Sequence, residues 1–131
     1  MKKRGILNDR LSWILARLGH GDRIVIADCG LPIPDGVLRI DLALVPGIPS
    51  FRDVVGAIAG ELEVQKLVVA EEMEDRNRDN LEFLREAFPG VAVERVPHER
   101  FKELVRGAKA VIRTGEATPY ANVILEAGVI F

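Results

Sequence analysis

The chain has 131 residues, 48% of them hydrophobic and 29% charged, with a net charge of −2. That is enough chain for one soluble domain, residues 1–131, with a core that needs no disulfide or metal. The charge supplies no pull toward nucleic acid or anionic lipid, no apolar run reaches membrane-spanning length, and a lone cysteine, Cys29, excludes an internal disulfide or a cysteine-rich zinc site.

The N-terminus is basic through Arg4, but Asn8, Asp9, Arg10 and Arg17 interrupt the apolar segment behind it, so a secretory leader is not expected. Residence in the cytoplasm follows as the default. Asn8 is placed to cap a helix in which Leu11, Ile14, Leu15 and Leu18 recur at helical spacing, with Gly19 as the residue that ends it. The next apolar run, Ile24 to Ala27, has the continuous pattern of a strand covered on both faces. His20 lies before that strand between two glycines. Asp28 lies at its C-terminal end, where open α/β sheets place ligands, and Pro32 and Pro34 stiffen the loop that follows.

Val37 to Leu42 alternates apolar with polar residues and reads as a second strand. After a Pro-Gly turn, Ser50 and Asp53 form a capping-box variant that opens a helix through about Leu62. Lys66 to Ala70 is a buried strand. An acidic stretch, Glu71 to Asp75, then leads into a polar helix with Leu81, Leu84 and Phe88 inward. Val91 to Val96 is a strand, Pro97 starts a short helix with Phe101, Leu104 and Val105 inward, and Ala110 to Arg113 is a strand again. Ala121 to Glu126 forms a last strand after a polar loop.

Strands alternating with helices predict an α/β domain with a mainly parallel sheet and helices on both faces. The last two strands have no helix between them, which predicts a hairpin, or an antiparallel or edge strand, near the C-terminus. Ala121, Val123, Ile124, Leu125, Val129, Ile130 and Phe131 make that terminus apolar enough to predict burial in a subunit interface.

Several residues invite chemistry, each beside a plainer reading. His20 suits proton transfer near neutral pH, or is a surface turn histidine. Asp28 would orient a histidine or bind a hydroxyl, or is a turn carboxylate held by loop amides. Cys29 reads as a small buried hydrophobe rather than a nucleophile. His98 reads first as a polar residue in the opening turn of its helix, and two isolated histidines make no metal pair. The run Arg113 to Asn122 gathers guanidinium, hydroxyl, carboxylate, phenol and amide groups around Gly115 and Pro119. Neutral polar groups with an aromatic ring suit a polyhydroxylated ligand, and the alternative is an ordinary loop between strands. No glycine-rich phosphate loop is present, so no nucleotide cofactor is expected.

Taken together, these stretches resemble the ribose pyranase / fucose mutarotase family, and most closely its ribose pyranase branch. The likeness runs from Met1-Lys2-Lys3 and Gly5-Ile6-Leu7-Asn8 through Leu18-Gly19-His20, Ile24 to Asp28, Gly30-Leu31-Pro32 and Pro34 to Val37. It continues through His98-Glu99, Lys109 to Glu116, Thr118 to Asn122 and Ala127-Gly128-Val129. The resemblance implies an isomerase that interconverts β-pyranose and β-furanose forms of D-ribose by opening and closing the ring, with no cofactor and no metal. It implies His20 as the catalytic residue, with Asp28, His98, Tyr120 and Asn122 binding sugar and Ala121 contributing main chain. It also implies a cytoplasmic homo-oligomeric ring, a pentamer or stacked decamer, with sites at subunit interfaces and functional links to a ribose transporter and ribokinase. Asp28 would orient either His20 or a sugar hydroxyl. The alternatives are the fucose mutarotase branch, a non-catalytic ribose-binding accessory of a transporter, and an α/β interaction protein with no small ligand.

Overall fold

The computed structural model describes residues 1–131. Its elements are α1 (Asp9–Arg17), β1 (Arg23–Ala27), β2 (Leu38–Asp41), α2 (Phe51–Ala59), β3 (Val64–Ala70), α3 (Met73–Arg76), α4 (Arg78–Ala87), β4 (Ala92–Val96), α5 (His98–Leu104), β5 (Ala110–Arg113) and β6 (Val123–Ala127). The helices start where their caps dictate. Asn8 Oδ1 accepts from Leu11 N at 3.0 Å, and Ser50 and Asp53 form a reciprocal capping box at α2. The ending expected of Gly19 takes another form: Leu18 already leaves α1 in an extended conformation, and the left-handed glycine of the turn is Gly21, at φ +82°.

One sheet of six strands runs in the order β2-β5-β1-β6-β3-β4. β5 is parallel to β1 and β2, β4 is parallel to β3, and β6 is antiparallel to both β1 and β3. Five strands therefore point one way and β6 alone runs against them. The antiparallel C-terminal strand is as expected, but it is neither an edge nor half of a hairpin with β5. It occupies the middle of the sheet. Residues Val123, Ile124 and Leu125 are fully buried, and an edge place would have left one side of such a strand's backbone unpaired.

The same finding corrects the reading of the apolar terminus. Ala121 and Val123 to Leu125 pack inside their own subunit, and only Val129, Ile130 and Phe131 stay exposed, at 37%, 91% and 99%. Side chains alternate between two cores. Ile24, Ile26, Val123 and Leu125 face α1, α2 and α4, while Val25, Ala27 and Ile124 face Phe101 of α5. No helix is long and apolar enough to cross a membrane.

This topology decides what meets at each end of the sheet. The carboxyl edge carries the residues after β1 to β5, and because β6 is reversed it also carries the residues just before β6. The amino edge carries the turn before β1, the start of β3 and the last residues of β6.

Candidate functional site

Asp28 and Asn122 are 94 residues apart in sequence and adjacent at the carboxyl edge. Asn122 Oδ1 accepts from the Asp28 backbone N–H at 2.8 Å, and Asn122 Nδ2 donates to Asp28 Oδ2 at 2.9 Å. With Asn122 only 1% exposed, this reciprocal pair satisfies both ends of a buried amide that would otherwise be costly. The other Asp28 oxygen accepts from Gly30 N at 3.0 Å. Asp28 is thus a turn carboxylate held by a loop amide, and its second oxygen is taken by the Asn122 amide.

Tyr120 precedes this pair with φ +58°, a left-handed conformation that is uncommon outside glycine and tends to persist where surrounding contacts impose it. Here Asn122 N–H donates to the Tyr120 carbonyl at 2.9 Å, and Ala121 between them is fully buried. The phenol ring meets the edge of the His98 imidazole at 5.0 Å and 84°, and Arg76 lies 5.9 Å over its face. His98 in turn stacks on Phe101. Its Nδ1 is buried with no hydrogen-bond partner.

His98 opens α5 behind Pro97, which can supply no capping side chain. Glu72, from the turn after β3, does so instead. Both its oxygens accept from His98 N–H, at 3.0 and 3.1 Å. The loop bearing Tyr120 is anchored by a second set of bonds. Asn77 Nδ2 donates to Thr118 Oγ1 and to the Pro119 carbonyl, each at 2.8 Å, and Thr118 Oγ1 donates to Glu116 Oε2 at 2.9 Å. Glu116 Oε1 accepts from Phe51 N at the start of α2. Glu72 and Asn77 carry no local pattern that marks them, because their partners are set by the strand order.

Asp28 also lines a depression of about 290 Å³, together with Cys29, Gly30, Glu116 and the 117–119 loop. A larger cleft of about 560 Å³ lies between Pro32–Asp35 and the outer face of α5. Two of its charged side chains, Lys102 and Glu99, pair with each other. Lys102 Nζ lies 2.8 Å from Glu99, and that hydrogen bond holds the Glu99 carboxyl below its usual range. The larger cleft contains none of the cluster residues. No group of three His, Cys, Asp or Glu side chains is placed to hold a metal ion.

His20 is elsewhere. It sits in the turn before β1, at the amino edge, while Asp28 follows the far end of the same strand. Five strand residues at about 3.3 Å each separate them by roughly 17 Å. Its turn is pinned by Gly19 N–H to Asp22 Oδ2 at 2.9 Å and Gly21 N–H to the Ala127 carbonyl at 2.9 Å. The His20 side chain is exposed, and its Nε2 lies 3.0 Å from Gln65 Oε1. Within one chain, then, Asp28, His98, Tyr120, Ala121 and Asn122 come together and His20 does not. Asp28 does not orient the His20 of its own chain, since the two occupy opposite ends of one strand.

The RbsD / FucU transport protein family matches residues 1–130. The chain is 59% identical over its full length to the D-ribose pyranase of Geobacillus kaustophilus, covering 96% of that protein. It is 56% identical to the D-ribose pyranase of Bacillus subtilis, with both chains covered completely. The structure of Bacillus subtilis RbsD complexed with D-ribose superposes with a TM-score of 0.96 at 56% identity, covering all of both chains. The fucose mutarotase of Streptococcus pneumoniae, solved with L-fucose, shares the fold at a TM-score of 0.80 and 23% identity over 95% of each chain. The chain belongs to the RbsD / FucU transport protein family.

Proposed function

We propose that this protein is a D-ribose pyranase. The observation that carries the reading is the Asp28–Asn122 pair beside His98 and Tyr120, in a chain 56% identical throughout to a protein solved with D-ribose. Such a cluster offers a carboxylate acceptor, an imidazole nitrogen and a phenol hydroxyl to a ligand rich in hydroxyls. Nothing in the chemistry calls for an electron carrier. The C1–O5 bond of the pyranose breaks as O5 gains a proton and the O1 hydroxyl loses one, giving the open aldehyde. Rotation brings the 4-hydroxyl to C1. Closure forms C1–O4, returns a proton to O1 and takes one from O4.

His20 gives and takes these protons. Asp28, His98, Tyr120 and Asn122, with the Ala121 main chain, hold the other hydroxyls. Positioned acid–base catalysis of this kind typically supplies about 10²–10⁴-fold, or roughly 3–5 kcal/mol.

Because His20 is at the wrong end of its own strand, it serves the cluster of a neighbouring subunit. The exposed apolar side chains support this arrangement. Leu44, Val45 and Ile48 project from the loop at the carboxyl edge, and Ile130 and Phe131 leave β6 at the amino edge. Two different sticky ends on one molecule favour head-to-tail contacts, which close into a ring. The protein works in the cytoplasm, where it supplies furanose to a ribose kinase behind a ribose transporter.

Saturation-transfer NMR of D-ribose tests the reading. The protein should speed exchange between pyranose and furanose signals, and His20→Ala should lose most of that acceleration. Ribose binding without faster exchange would instead mark a sugar-binding accessory, and exchange of L-fucose anomers alone would mark a fucose mutarotase.

A further inference from the structure

The amino edge holds a chain of polar side chains that ends on His20. Arg23 Nε lies 3.3 Å from Glu126 Oε1, Glu126 Oε2 accepts from Gln65 Nε2 at 3.4 Å, and Gln65 Oε1 lies 3.0 Å from His20 Nε2. The directions in this chain follow from what each group can do. An ionised carboxylate only accepts, so the Gln65 amide must turn its NH2 toward Glu126 and its oxygen toward His20. An amide oxygen also only accepts, so His20 Nε2 must carry the hydrogen. In the neutral imidazole Nδ1 is then the nitrogen with the free lone pair.

The backbone is built to present Gln65 this way. Along β6, Ala127 pairs with Val64 and the adjacent Glu126 pairs with Lys66, leaving Gln65 as the extra residue of a β-bulge. Bulges re-aim side chains and are frequent beside functional sites. Gly128 leaves room for this bulge, because a Cβ there would come within 3.3 Å of Gln65 Cβ. Lys66, the neighbouring cation, is turned away to Glu94 at 2.6 Å, so Arg23 is the cation on Glu126.

We infer that Gln65 is a positioning residue for His20, holding Nε2–H so that Nδ1 exchanges protons with the sugar, and that Glu126 sets the direction of the Gln65 amide. This rests on the reading of His20 as catalytic. The test is ¹⁵N NMR of the assembled protein at alkaline pH, with the His20 resonances identified by their loss in His20→Ala, alongside kcat and KM for ribose exchange. The wild type should show a protonated Nε2 and an unprotonated Nδ1. Gln65→Leu should move both shifts toward the average of a freely exchanging imidazole and lower kcat about tenfold with KM nearly constant.

Exchanging the two side chains, Gln65→Glu with Glu126→Gln, keeps an acceptor on Nε2–H and a donor behind it. That double variant should recover the wild-type shifts and most of the lost kcat. Unchanged shifts in Gln65→Leu, or a fall in kcat that the exchange does not recover, would overturn the inference. Failure of the catalytic reading is separate: His20→Ala would then keep its activity, whatever the shifts show.

Discussion

Asn122 makes two hydrogen bonds to one residue in opposite senses, and removing its amide undoes both. Asn122→Ala leaves the Asp28 N–H without an acceptor at a buried position. It should cost about 1–3 kcal/mol in a denaturant titration and depress ribose exchange at the same time. Tyr120→Phe is gentler. The ring keeps its contact with His98 and the backbone its left-handed turn, while the hydroxyl is lost. Ribose KM should rise about 2–10-fold, the worth of one neutral hydrogen bond, with unfolding unchanged. Gly115 serves packing rather than chemistry. A Cβ there would overlap the Ile48 backbone, with Ile48 C at 2.6 Å and Ile48 N at 2.7 Å. Gly115→Ala should therefore destabilise by about 1–3 kcal/mol, read as a lower midpoint in urea. Of the six residues expected to form the site, His20, Asp28, Tyr120 and Asn122 stand out by type and neighbours, while His98 and Ala121 enter only through the family resemblance. Sequence alone could not show that Asp28 and Asn122 are partners.

Helix α5 illustrates why. Pro97 and the inward Phe101 and Val105 make the helix legible, but the group that caps it is Glu72, 26 residues away. Glu72→Ala should cost about 0.5–2 kcal/mol, as other lost caps do, and raise ribose KM by freeing His98. Restoration of KM by Glu72→Gln, which keeps an acceptor without the charge, would separate capping from charge. The position of β6 was similarly hidden. Its apolar run is as compatible with an edge as with the centre, because periodicity reports burial and not neighbours. β4, by contrast, is the true edge beyond β3, and it is held partly by the exposed pair Lys66–Glu94. The hydrogen bond from Lys66 lowers the Glu94 carboxyl below 4.5. A lowered carboxyl stabilises the fold above its unfolded value and loses that contribution as pH falls through the folded one. With Glu94 46% exposed the effect is small, and Glu94→Gln should change stability at neutral pH by less than about 1 kcal/mol.

The whole molecule keeps the two groups of residues apart. Its carboxyl edge carries the polar cluster and the apolar loop with Leu44 and Ile48. Its amino edge carries His20, Gln65 and the exposed Ile130 and Phe131. The α/β class, the caps and most strand positions could be read from apolar spacing because they depend on local burial. The separation of His20 from Asp28 could not, even though both lie on one short stretch, because a strand places its two ends at opposite edges of the sheet. Nearness in sequence misleads there, and distance in sequence misleads at Asn122. The reversed β6 accounts for the second. It brings Tyr120 to Asn122 up to the cluster, and then returns Glu126 to the turn that holds His20.

A single measurement addresses this division most directly. Chains carrying His20→Ala and chains carrying Asp28→Asn are each assayed alone for ribopyranose–ribofuranose exchange, and then after unfolding and refolding as an equal mixture. The account predicts that each variant alone is close to the uncatalysed rate. The mixture should recover about a quarter of the wild-type rate, because one junction in four joins an intact His20 to an intact cluster. A mixture no faster than its parents would contradict it, since a site completed within one chain gains nothing from a neighbour.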